Sequence, residues 1–241
     1  MQISKTIHSL RLAAVALVLM LSLPLQTLAG GTLAARTYDI GNAKSLPWAG
    51  NEWRAVQTHY DRNRLVDDVL AFLTPQMPVI VRMETLRRAL IYAEGTQAGG
   101  ETKLPAQNLS MLMFEKLMAR VEAAERKSQP DALAIFDVGF FVASWRYSFD
   151  NKGKLIPEVK GYELIKKASA LSNTDATMEF AAALVSLYLY RGDQPAFQQH
   201  LQKAVAGAQE GSLLGRNMVR HIIGQGGTFE DLRAKVDLAK R

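Results

Sequence analysis

From Asn51 to the C-terminus, apolar residues recur at intervals of three and four, the spacing of one face of a helix. Trp53, Val56, Tyr60, Leu65, Val69 and Phe72 predict a helix over Glu52–Leu73, stopped by the two prolines of Thr74–Pro78. Val79, Met83, Leu86, Leu90 and Ala93 mark the next helix, and Gly95–Asn108 reads as a loop. Phe114, Leu117, Val121 and Ala124 carry a third stripe, up to a break at Ser128–Asp131. The helix over Asp131–Phe149 is apolar on two faces, with only a thin polar line of Asp137, Ser144 and Ser148. Such a helix is buried between neighbours.

Asp150–Gly153 predicts a turn and Val159–Leu171 a helix behind Pro157. Asp175 caps a helix that runs through Tyr190, and Gly192-Asp193 turns the chain. Pro195 stands where a first helical turn tolerates proline, and Phe197, Leu201, Ala204 and Ala208 follow at helical spacing. Gly211-Ser212 opens a helix with Leu214, Met218 and Ile222. Gly224–Gly227 breaks it, and Thr228–Asp231 opens the last one, with Phe229, Leu232, Val236 and Ala239 on one face. No β-branched run alternates with polar residues between turn pairs, so the expected class is all-α.

The N-terminus follows another pattern. Lys5 and Arg11 precede a nearly unbroken apolar run, Leu12–Leu23, which Pro24 ends. Thr27-Leu28-Ala29 offers small residues where a signal peptidase cuts, so residues 1–29 read as a signal peptide. The alternative is an uncleaved anchor, but the run is shorter than the roughly 20 residues that span a bilayer. Residues 30–50 lack periodicity and are expected to be a flexible arm, pinned near Pro47-Trp48. Residues 51–241 form a single helical domain with no further membrane span. The expected location is outside the inner membrane, periplasmic or secreted.

Composition narrows the chemistry. The chain has no cysteine, which excludes disulfides, thiolate metal sites and cysteine nucleophiles. The formal charge is +6, and +4 once the two basic residues of the leader are removed. An exported protein rarely meets nucleic acid, so no nucleic-acid partner is expected and this charge reads as affinity for anionic envelope surfaces or as no signal at all.

The stretch from Met178 to Ala208 resembles a tetratricopeptide repeat, a pair of antiparallel helices. Leu184 and Leu187-Tyr188 stand for the first-helix core, and Gly192-Asp193 for the turn. Phe197, Leu201 and Ala204 fall at the family's second-helix offsets. Phe197 replaces the preferred alanine, and the closing proline is missing. Residues 79–124 and 132–171 each show helix, break, helix, at unequal lengths. The resemblance implies antiparallel helical hairpins stacked as a short solenoid, the alternative being a closed helical bundle. It also implies that Glu179, Ser186 and Tyr190 line a groove. Asp137 and Ser144 are the analogous positions on the preceding first helix.

Catalytic signatures are missing. His59, His200 and His221 have no second ligand at metal-helix spacing. His59 and His200 are expected to be solvated and His221 to border the core; neither a metal nor a cofactor is expected. There is no G-x-S-x-G, and Gly224–Thr228 lacks the G-K-[ST] of a phosphate loop, so it reads as a helix stop followed by a cap. Glu84, Asp137 and Glu179 are carboxylates without a determinable pairing. Arg82, Arg87 and Arg88 around Glu84 read as a solvated face with a Glu84–Arg88 pair, or else as an anion-binding patch. Trp48 and Trp53 close the open end of the core, or anchor a partner.

These readings converge on a non-enzymatic scaffold that binds a protein or peptide, with an oligomeric state the sequence does not set. The alternatives are a glycan-cleaving envelope enzyme and a carrier whose apolar pocket is lined by Met113, Met118, Phe136 and Phe140.

Overall fold

Capping side chains set the helix boundaries. The computed structural model describes residues 36–94, 106–145, 158–189 and 194–239. Asp61 opens a short 3-10 turn, Arg62–Arg64, that runs into α1, Leu65–Phe72. There follow α2 (Val79–Glu94), α3 (Ala106–Arg126), α4 (Ala132–Ser144), α5 (Glu158–Leu171) and α6 (Ala176–Leu189). Then come α7 (Gln194–Gly207), α8 (Leu213–Met218), a π-helical turn over Val219–Ile223, and α9 (Phe229–Leu238). Among the described residues every regular element is helical, which makes the fold all-α. No helix among them is long and apolar enough to cross a membrane.

The caps are those the sequence offers. Asp131 accepts from the Ala134 amide, Asp175 from Thr177 and Met178, and Ser212 from Gly215. Thr228 and Asp231 form a reciprocal capping box, so the glycine-rich stretch before them is a helix stop and restart.

The expected helix over Glu52–Leu73 is shorter: helical structure begins at Arg62. Tertiary contacts take the backbone groups that a longer helix would need. The Trp53 carbonyl accepts from Arg87 Nη1 at 2.8 Å, and the Gln57 amide donates to the Tyr92 hydroxyl at 3.0 Å. Residues 36–50, expected to be a flexible arm, are packed down. Leu46 is fully buried and Tyr38 nearly so. The Tyr38 amide donates to Glu84, Ser45 pairs with Thr85, and the Pro47 carbonyl accepts from Tyr92.

α2 is the central helix. All of it except Arg88 and Glu94 is buried, which corrects the expectation of a solvated arginine face. Arg82, Glu84 and Arg87 lie wholly inside, and only the Glu84–Arg88 pair is as expected. Arg82 and Arg120 both grip Asp137 Oδ2, at 2.7 and 2.8 Å. Their remaining nitrogens donate to the Leu73, Thr74 and Met77 carbonyls. The two arginines thereby tie the segment between α1 and α2 to the buried Asp137.

Further along, helices pack largely in chain order: α4 on α5, α5 on α6, α6 on α7. Small residues make two of these contacts close. A Cβ at Gly161 would lie 2.5 Å from the Ala143 nitrogen and 2.6 Å from the Gly139 oxygen. Gly139 faces residues 161–165 and Ala143 faces residue 161, so α4 and α5 run antiparallel. Gly207, the last residue of α7, meets Ala176, the first of α6, so this pair is antiparallel too. Met113, Phe136 and Phe140, expected around an apolar pocket, are core residues, with Phe136 stacked on Phe140 at 5.9 Å.

Candidate functional site: a cleft over Glu179, His200 and Tyr162

The Asp175 cap starts α6 and places Glu179 one turn in, facing α5 and α7. Pro195, in the first turn of α7, precedes His200 by a little over one turn. Tyr162 follows Gly161, where α5 approaches α4 most closely. The three side chains meet at the floor of an open cavity of about 590 Å³ between α5, α6 and α7. Glu163, Lys166, Gln199 and Lys203 stand around its rim.

The floor is one hydrogen-bonded chain. Ser169 Oγ donates to Glu179 Oε1 at 2.6 Å, His200 Nδ1 lies 2.6 Å from Oε2, and His200 Nε2 lies 2.8 Å from the Tyr162 hydroxyl. Burial pushes the Glu179 carboxyl up. The hydrogen bonds from His200 and Ser169 and the charges of His200 and Lys203 outweigh it and hold the group below its ordinary value. An ionised Glu179 keeps the proton on His200 Nδ1, so with a neutral imidazole Nε2 accepts from the Tyr162 hydroxyl. A carboxylate, an imidazole and a hydroxyl in sequence can pass a proton, or hold a fixed row of donors and acceptors for a bound group. At the rim, Lys166 pairs with Glu163 at 2.8 Å and sits over the Tyr162 ring, while Lys203 approaches Glu179 at 3.8 Å.

Among the described residues expected in a groove, Glu179 alone borders this cleft. Ser186, on the same helix, is fully buried and donates to the Ala183 carbonyl at 2.9 Å. Asp137 and Ser144 lie inside the molecule on α4. The polar line they form is therefore interior, because α4 is covered by α2, α3 and α5 together. Tyr190 lies outside the described residues. His200, expected to be solvated, is buried. Its partner lies 21 positions away on another helix, so no spacing rule within one helix finds the pair. His59 is exposed, and His221 is buried beneath the arm beside Tyr38. Among the described residues no three His, Asp or Glu side chains cluster as a metal site.

Comparison with known proteins finds no matching family model, no matching curated protein and no matching solved structure. The functional reading therefore rests on the geometry of the cleft.

Proposed function

We propose that this chain is an exported helical-hairpin scaffold, similar to short tetratricopeptide-repeat solenoids, that binds a protein or peptide partner in the α5–α6–α7 cleft. The observation that carries this reading is the cleft itself. It is open and polar, it lies between three consecutive helices of which α6 and α7 run antiparallel, and it sits over a buried Glu179–His200–Tyr162 chain. Buried polar groups held in fixed positions give a binding site its selectivity, since a partner that leaves them unmatched loses affinity. The rim residues Gln199 and Lys203 are exposed and available to a partner. Signal-peptide cleavage after Ala29 belongs to the same reading.

The test is affinity capture from an envelope extract by residues 30–241, compared with a Gln199→Ala/Lys203→Glu double variant. Both sites are at the surface, so the variant should keep the wild-type helical melting curve. It should lose most of the partner the wild type retains, since a central rim contact contributes about 1–2 kcal/mol or more. Equal retention by both proteins would move the binding surface elsewhere. The hydroxyl–imidazole–carboxylate chain favours a second reading, an envelope hydrolase. Turnover of an envelope glycan or ester by the wild type, lost in His200→Ala, would replace the scaffold with that enzyme.

A further inference from the structure

The arm, residues 36–50, is bound much as a separate peptide would be. Its main-chain atoms are recognised one by one. The Tyr38 amide donates to Glu84, and the Asn217 side-chain amide pairs with both backbone groups of Asp39, at 2.8 and 2.7 Å. The Leu46 carbonyl accepts from Arg88 Nη1 at 2.6 Å, and the Pro47 carbonyl accepts from the Tyr92 hydroxyl at 2.7 Å. Tyr38 and Leu46 are the buried anchors, and the hydroxyl oxygens of Ser45 and Thr85 lie 2.8 Å apart. Main-chain hydrogen bonds supply affinity for an extended segment and side-chain pockets supply selectivity, whichever chain the segment belongs to.

Behind the arm lies a segment whose sequence and structure disagree. Trp53, Val56 and Tyr60 continue the helical stripe of α1, and no glycine or proline interrupts residues 51–73. Residues 51–61 nevertheless fold into turns. The Ala49 amide donates to the Ala55 carbonyl at 2.7 Å, and the Tyr60 amide donates to the Gln57 carbonyl at 3.2 Å. Both ends of the segment meet the last turn of α2. The Pro47 carbonyl takes the Tyr92 hydroxyl there, and Arg62 Nη2 donates to the Ala93 carbonyl at 3.0 Å. As a helix, residues 52–61 would be about 15 Å long. That length would part the two ends and carry the arm away from its own α2. A segment with a helical pattern held in turns by tertiary contacts has two competing conformations.

From the peptide-like docking of the arm and the unused helical pattern behind it, we infer that the arm exchanges between two copies of this chain. Residues 52–61 straighten into a helix that continues into α1. The arm then seats on α2 and α8 of the second copy, which returns its own. The docking contacts are made again across the pair, and helical hydrogen bonds replace the turns, so such an exchange is a low-cost route to a dimer. What it gives up is the burial of Val56 and the bond from the Gln57 amide to Tyr92, so the closed monomer prevails at low concentration. The exchange surface is separate from the α5–α6–α7 cleft, and neither proposal rests on the other.

The chain has no cysteine, so two introduced thiols test the exchange without background. Ser45→Cys and Thr85→Cys are made in separate copies of residues 30–241, mixed at high concentration and oxidised with diamide. A covalent dimer of the two variants is expected, and none when either is oxidised alone, because the thiols meet only where one copy's arm lies on the other's α2. Light scattering of the wild type should show a dimer that grows with concentration. Thr58→Pro separates exchange from folding. Thr58 is exposed and stands second in the turn Gln57–Tyr60, where proline is favoured, whereas inside a helix proline removes a hydrogen bond and clashes. This variant should keep the wild-type melting curve and lose the dimer in both measurements. No covalent dimer in the mixture, a wild type that stays monomeric at every concentration, or a dimer that survives Thr58→Pro would each overturn the exchange.

Discussion

His221 shows what burial does to a single side chain. Its ring packs 4.9 Å from that of Tyr38 and 6.0 Å from that of Phe180, and its Nε2 atom has no hydrogen-bond partner. The folded protein keeps it neutral down to about pH 3, against an ordinary value of 6.5. Between these values the unfolded chain binds a proton that the native chain refuses. Stability is therefore full above pH 6.5 and falls as the pH drops towards 3. The expected loss is about 2 kcal/mol between pH 7 and pH 5, measured by urea unfolding. His221→Asn should flatten that slope; an unchanged slope in the variant would assign the dependence to other groups. Asp137 presents the opposite sign. Burial pushes its carboxyl up, Arg82 and Arg120 pull against this, and the net direction is upward.

Among the elements, glycine does different work at different places. At an exposed helical position, replacing glycine by alanine stabilises a helix by up to about 1 kcal/mol. Gly161 should reverse that sign, because its added methyl group would collide with backbone atoms of α4, which cannot swing aside. Gly161→Ala is expected to cost roughly 1–3 kcal/mol, as overpacked cores do, and to lower the melting temperature. A variant that melts higher than the wild type would show that the α4–α5 contact is looser than described. The same contact sets the cleft, since Tyr162 is the next residue along α5 and reaches His200 from there.

For the whole molecule the arm is decisive. It joins the centre of the fold to its C-terminal end, through Tyr38 to Glu84 on α2 and through Asp39 to Arg216 and Asn217 on α8. Removing residues 30–50 exposes the pockets of Tyr38 and Leu46 and strips the Glu84 and Arg88 contacts from α2. At about 1.5–3 kcal/mol for each buried side chain, residues 51–241 alone should be roughly 3–6 kcal/mol less stable than residues 30–241. Coincident urea midpoints for the two proteins would make the arm an accessory to the fold.

Local signals in the chain determined the all-α class, the positions of α2–α9 and most of their ends. Three-and-four periodicity and capping side chains act within a few residues of one another. The buried character of α4 was legible for the same reason, since it is apolar on both faces. Tertiary structure alone decided the rest. Arg82, Glu84 and Arg87 read as a solvent face, because charge patterning cannot reveal that Asp137 waits on another helix or that the arm closes over α2. Of the cleft, only Glu179 was legible. His200 and Tyr162 join it from α7 and α5, at 21 and 17 residues' distance, through hydrogen bonds that exist only once three helices have packed. Periodicity says which face of a helix turns inward; the partner it meets there is settled by the packing of the whole chain.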